Sequence, residues 1–233
     1  MKKPRIVALL PMKANSQRVQ GKNFRDFCGK PLFRWVLDTL LEIKDIDKIV
    51  INTDAVGILE EHGVVSTDRI VIRKRAPKIC GDDVSMNLVI ADDVLNVKSD
   101  LYLMTHTTNP FLSADTIQTS IDKFIHASGE GIADSLFTVN KIQSRFYSQD
   151  GSPVNHDPKR LVPTQQLEPW YEENSNLYIF TRESFARTSA RIGSQPIMYE
   201  SPLLESVDID TPSDWEFAKI VSMYLNEIRR ASK

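Results

Sequence analysis

The sequence predicts an α/β fold, a doubly wound and mostly parallel sheet with a small extended segment appended. Three observations predict it. Short β-branched runs alternate with amphipathic segments through the first half of the chain, the signature of successive βα units. Ile6-Val7-Ala8-Leu9-Leu10 and Lys48-Ile49-Val50-Ile51 are continuous apolar runs, as strands buried on both faces require. With 233 residues, 41% of them hydrophobic and 26% charged, the chain can fill one large core, so 1–233 reads as a single domain.

The elements follow in order. Arg5–Pro11 is the first strand. A helix opens at Pro31, where a missing N–H costs nothing, and runs to Ile43 with Leu32, Trp35, Val36, Thr39 and Leu40 on one face as core. Then come Lys48–Thr53 (strand), Ala55–His62 (helix), Ile70–Arg73 (strand), Met86–Val97 (helix) and Leu101–Met104 (strand). Ser113–Ala127 is a helix with Ser113 as N-cap, and Asp134–Val139 a further strand. Residues 140–173 are rich in Gly, Ser, Pro, Asn and Asp, and read as an irregular insertion of the kind that forms binding loops or association surfaces. Regular structure resumes with a strand at Asn176–Thr181, a short helix at Arg182–Ser189, a strand leading to Asp208 and a closing helix from Pro212 to Arg230.

Composition excludes several classes. Lys+Arg 29 against Asp+Glu 31 leaves a net charge of -2, without the cationic excess that nucleic acid or anionic membrane surfaces demand. No apolar run approaches a membrane span, and Ile6–Leu10 behind the charged Met1–Arg5 flank is too short for a signal peptide. Cys28 and Cys80 form no CxxC pair and have no His at ligand spacing, so neither a disulfide framework nor a zinc site is expected. A cytoplasmic protein is the expectation.

Two clusters carry the chemistry. The loop leaving the first strand places Lys13, Arg18 and Lys22 within ten residues, with Gly21 and Gly29 permitting close backbone approach, so a polyphosphate suits it. It has neither P-loop nor GxGxxG spacing, which removes the common NTPase and dehydrogenase readings. In Ser206-Val207-Asp208-Ile209-Asp210, alternation about Ile209 puts Asp208 and Asp210 on one side of an extended segment, where two carboxylates can share a hard divalent cation. Alternatively Asp210 or Thr211 caps the closing helix, with Asp214 in its first turn; capping leaves Asp208 unexplained.

These residues resemble the cytidylyltransferases that activate 2-keto sugar acids, the N-acylneuraminate cytidylyltransferases and the related CMP-KDO synthetases. Pro11, Ser16, Arg18, Lys22 and Asn23, followed by Gly29-Lys30-Pro31-Leu32, are similar to that family's first-loop signature. Further similarities run through Asn52-Thr53-Asp54, Arg75 with Asp82 and Ser85, Thr108-Asn109-Pro110-Phe111-Leu112, Asp134–Val139, Glu173-Asn174 and Ser206–Asp210. The chain departs from the pattern at Lys13, Gln17 and His106.

The resemblance implies a Rossmann-like, GT-A-like nucleotidyltransferase fold and transfer of CMP from CTP to a sialic or other nonulosonic acid. It implies that Arg18 and Lys22, with Lys13, Ser16 and Asn23, hold the CTP phosphates, that Arg75 and Ser85 lie near the cytidine, and that Asp208 and Asp210 hold Mg²⁺. His106, Thr108, Glu173 and Asn174 would face the sugar acid, and residues 140–173 would serve sugar binding and a homodimer interface. The alternatives are CMP-KDO synthetase-type activity, a GT-A-like glycosyltransferase consuming a nucleotide sugar, and a binding protein without turnover.

Overall fold

The computed structural model describes residues 3–231; Met1, Lys2, Ser232 and Lys233, the ends of the expected 1–233 unit, lie outside the described residues. In chain order, β1 (Ile6–Leu9) runs into a long loop and a short hairpin, β2 (Asp26–Phe27) and β3 (Lys30–Pro31). There follow α1 (Leu32–Glu42), β4 (Lys48–Thr53), α2 (Val56–Glu61), β5 (Ile70–Lys74), α3 (Met86–Asn96), β6 (Leu101–Thr105) and α4 (Ala114–Gly129). The second half comprises β7 (Ser135–Ile142), β8 (Trp170–Thr181), α5 (Arg182–Thr188), β9 (Pro196–Glu200) and α6 (Pro212–Ala231).

Among the described residues the main sheet has the order β5-β4-β1-β6-β8-β7-β9. Only β8 runs against the rest, pairing antiparallel with both β6 and β7. The apolar run of β1 supplies both faces of this sheet. Ile6 and Ala8 pack with Phe33, Leu37 and Leu40 of α1 and Ile117 and Phe124 of α4. Val7 and Leu9 pack with Ile90 and Val94 of α3 and Phe185 of α5. Helices thus cover both sides, as a buried parallel sheet requires. Because β4 lies on one side of β1 and β6 on the other, the loops leaving β1 and β6 part at the topological switch point, where open α/β sheets bind ligands.

Four differences from the sequence reading have physical reasons. The irregular segment is shorter at both ends, since Asn140–Ile142 and Trp170–Glu173 pair as an extension of β7 and β8. Their side chains are mostly polar or exposed, so the ladder, held by backbone hydrogen bonds, leaves no apolar period to read. The strand near the carboxyl terminus is Pro196–Glu200, paired parallel with β7, and not a strand leading to Asp208. Val207–Asp210 instead follows a 3₁₀ turn at Leu203–Ser206 and attaches through the Ile209 N–H donating to the Thr108 carbonyl (2.9 Å). The fourth is the β2–β3 hairpin, whose two-residue turn needs positive φ at Cys28 (53°) and Gly29 (99°). Gly29 therefore closes a turn.

A third apolar cluster joins the two ends of the chain. Val19, Phe27 and Leu32 pack against Ile209, Trp215 and Ala218, with the Phe27 and Trp215 rings edge-on at 5.3 Å. Burying side chains of this size contributes about 2 kcal/mol each. This contact holds the first loop beside the start of α6. Among the described residues no helix is long and apolar enough to cross a membrane.

Candidate active site

The first loop and the acidic segment face each other at the switch point. Arg18 Nη2 donates to Asp210 Oδ2 at 2.9 Å, and Lys22 Nζ donates to Asp210 Oδ1 at 3.0 Å and to the Ile209 carbonyl at 2.6 Å. Lys22 is buried and Arg18 exposed, so the Lys22 contact is the tether and the Arg18 contact a solvent-screened pair. Thr211 caps α6 by accepting from the Asp214 N–H, while Asp214 Oδ2 accepts from the N–H groups of Asp210 and Thr211. Capping therefore falls to Thr211 and Asp214 and leaves the Asp210 carboxylate to the cleft.

The cavity of about 270 Å³ there is lined by Lys13, Ser16, Arg18, Lys22, Asn23, Arg75, His106, Thr108 and Asp210 among others. Lys13 is paired with Asp82, which also accepts from Gln17 Nε2, and this lysine holds the Asp82 carboxyl below the usual range. Asn23 is a brace: it donates to the Lys13 carbonyl and accepts from the Thr107 hydroxyl, linking the loops after β1 and β6. Arg75 is almost fully buried and donates to the carbonyls of Met12 and Asn52 and to Asn52 Oδ1. Ile79, Val84, Met86 and Val89 form an apolar wall to the same cavity. Ser85 is not among the lining residues; its hydroxyl caps α3 by accepting from the Asn87 N–H.

Asp208 opens on a neighbouring smaller cavity with Asn140, Glu172, Glu173, Asn174 and Ser206. The two carboxylates thus flank buried Ile209 and serve adjacent spaces. Burial pushes the Asp208 pKa up, opposed by a hydrogen bond from the Thr108 hydroxyl. Its Oδ1 is buried with no hydrogen-bond partner. Asn174 donates to Asn140 and Ser201, a role within the fold, whereas Glu173 accepts from the Tyr178 hydroxyl and from Arg191. Burial and the adjacent Arg191 cation lower the His106 pKa to about 4, so the ring is neutral and its Nε2 accepts from Arg191 at 3.3 Å.

Some partners carried no sequence signal. Arg191 lies among small residues between α5 and β9, outside any periodic pattern. The buried chain Arg75–Asn52–Asp93–Arg73 beneath the cavity joins residues from three separate elements.

The profile described as Cytidylyltransferase matches residues 7–232. The chain belongs to the cytidylyltransferase family. It is a nucleotidyltransferase. This cytidylyltransferase is 27% identical over 231 residues to the CMP-N,N'-diacetyllegionaminic acid synthase of Legionella pneumophila, covering 96% of this chain and 98% of that one. It is 24% identical over 222 residues to the pseudaminic acid cytidylyltransferase of Campylobacter jejuni, covering 92% and 95% respectively. Its fold is similar to that of a CMP:2-keto-3-deoxy-manno-octonic acid synthetase complexed with CTP, with a TM-score of 0.65 at 13% identity, covering 96% of this chain and 99% of that one.

Cytidylyltransferases using CTP are in general divalent-metal dependent. The donors fit such an ion in one respect: Asp208 Oδ1 is an orphaned buried carboxylate oxygen. Among the described residues no group of three or more His, Cys, Asp or Glu forms a ready-made cage. That suits a cation held by one or two carboxylates plus substrate phosphates.

Proposed function

We propose that this enzyme transfers CMP from CTP to a 2-keto sugar acid of the nonulosonic type, releasing pyrophosphate. The observation that carries the reading is the meeting of Arg18 and Lys22 with Asp210 in one cleft. The names of the two bacterial relatives support the acceptor class.

In this reading Lys13, Arg18 and Lys22 hold the β- and γ-phosphates, with Ser16 donating beside them and Asn23 fixing the loop. Asp82 and Asp210 keep these cations in position until phosphate oxygens replace them. The base lies on the Ile79–Val89 wall, Arg75 shapes its end of the cavity, and Ser85 supports the wall by capping α3. The sugar acid enters from the second cavity, past Glu173, Asn174, Thr108 and His106. Asp208 serves either as the second carboxylate on the metal or, through the proton affinity that burial raises, as the base for the attacking anomeric hydroxyl. Asp210, with Asp208 as the second carboxylate in the first of those roles, would hold Mg²⁺, which would supply neutralisation of phosphate charge and Lewis-acid polarisation.

Residues 1–233 form one catalytic unit in this reading. Its segment between β7 and β8, with exposed Trp170 and Tyr171 at its base, serves a homodimer interface. Free Cys28 and Cys80 accord with a cytoplasmic reaction. A glycosyltransferase consuming a nucleotide sugar would have no use for three loop cations. The test is a panel of nonulosonic and KDO-type acids, each with CTP and Mg²⁺, scored by pyrophosphate release. Release with a nonulosonic acid is expected; no release with any acid refutes the proposal.

A further inference from the structure

The two cavities are bridged by a side chain that belongs to neither loop. Arg191 donates through Nη1 to His106 Nε2 at 3.3 Å and through Nη2 to Glu173 Oε1 at 3.2 Å. His106 lines the larger cavity and Glu173 the smaller. The guanidinium lies 3.8 Å above the centroid of the fully buried Tyr178 ring, which fixes its plane. The Tyr178 hydroxyl donates to the same Glu173 oxygen.

Resting on the function proposed above, we propose that Arg191 is the specificity-determining residue that binds the carboxylate of the sugar acid. The chemistry of the acceptor dictates where that carboxylate must go. In a cyclic 2-keto sugar acid, the carboxylate and the attacking hydroxyl share the anomeric carbon. The carboxylate therefore sits beside the reacting oxygen, at the junction of the nucleotide and sugar spaces. It is also an anion approaching the anionic α-phosphate through a cavity lined by Glu172, Glu173 and Asp208, and among the described residues no Lys or Arg lines that cavity. A cation at the junction is needed, and Arg191, which lines neither cavity but hydrogen-bonds a lining residue of each, is the one within reach. Arg18 and Lys22 are committed to Asp210 and the phosphate side.

The resting contacts look like a held place. Glu173 presents a carboxylate oxygen to Arg191, and the Tyr178 hydroxyl keeps Glu173 in hand when the substrate carboxylate takes its position. His106 accepts from Arg191 without cancelling its charge, because the imidazole is neutral. The guanidinium fork suits a planar carboxylate, which Lys, a point charge, would not match.

The experiment measures kcat/KM for the sugar acid and for its C1 carboxamide in wild type, Arg191→Gln and Arg191→Lys, with thermal unfolding as a folding control. In wild type the acid is expected to be preferred by about 100-fold, the range of a charge-assisted pair. Arg191→Gln should lower kcat/KM for the acid by about 10- to 100-fold, leave KM for CTP within about twofold, and reduce the acid preference to about threefold or less. Arg191→Lys should recover part of that preference. A merely structural arginine would weaken acid and amide alike, so an unchanged preference in Arg191→Gln overturns the assignment of Arg191 alone. Absence of pyrophosphate release from wild type with every acid overturns both this assignment and the function on which it rests.

Discussion

Replacing Asp210 by Ala separates two roles that one carboxylate holds here. As an exposed metal ligand at a sheet edge it would carry no packing, and its loss would leave stability unchanged. Instead it accepts from Lys22, whose side chain is 9% exposed while that of Asp210 is 39% exposed. Breaking a fully buried pair costs about 3–5 kcal/mol, but the half-open carboxylate is partly screened, which brings the cost to about 2 kcal/mol. The Arg18 pair adds little, because that side chain is 61% exposed. For a chain of this size a loss of about 2 kcal/mol lowers Tm by about 4–8 °C. Asp208→Asn is the contrast. It keeps an oxygen for the Thr108 hydroxyl and removes a charge that burial disfavours, so Tm should hold or rise. Both variants should lose turnover, Asp208→Asn by about 10²–10⁴-fold if it removes the base. Thermal unfolding and pyrophosphate release measured side by side decide the matter. An unchanged Tm for Asp210→Ala, or a Tm fall in Asp208→Asn equal to that of Asp210→Ala, would refute the reasoning.

Arg18→Ala should raise KM for CTP at least about tenfold and KM for the sugar acid much less, while exposure of the pair keeps the Tm change small; equal KM effects would show that the loop is not a phosphate cradle. Burial lifts the Asp93 carboxyl from 3.8 to about 6 against the pull of Asn52 and Arg73. Because the folded state holds this proton more tightly than the unfolded one, the stabilisation is complete below pH 3.8 and is lost as pH rises through about 6. The excess stability of wild type over Asp93→Asn should therefore fall by about 3 kcal/mol between pH 3.5 and 7 in urea titrations, and a constant difference would contradict it. Chelation with EDTA should stop pyrophosphate release and added Mg²⁺ should restore it; full turnover in EDTA would remove the metal role of Asp208 and Asp210.

Two kinds of information were legible in the chain. Uninterrupted apolar runs such as Ile6–Leu10 disclose strands buried on both sides, and the periodicity of the intervening segments discloses the helices. Both signals are local, so the parallel sheet followed from them. The cations of the first loop and the pair around Ile209 were legible as chemistry, since residue type and spacing alone suit a polyphosphate and a divalent ion. The β9 strand was misplaced because Pro196–Glu200 alternates at the half-buried edge of the sheet, where apolar demand is weak.

By itself the sequence determined the fold class and the identities of the groups able to handle phosphate, while the strand order that puts the first loop at the switch point came with the structure. Tertiary structure alone decided which charges are free. It tied Lys22 to Asp210, gave helix capping to Thr211 and Asp214, turned Asp208 toward a second cavity and stacked Arg191 on Tyr178. These are contacts between residues distant in the chain, made by the packing of Phe27 and Trp215 and by the pairing of β6 with β8. No local period encodes them, because their energy comes from surfaces that exist only once the chain has closed on itself.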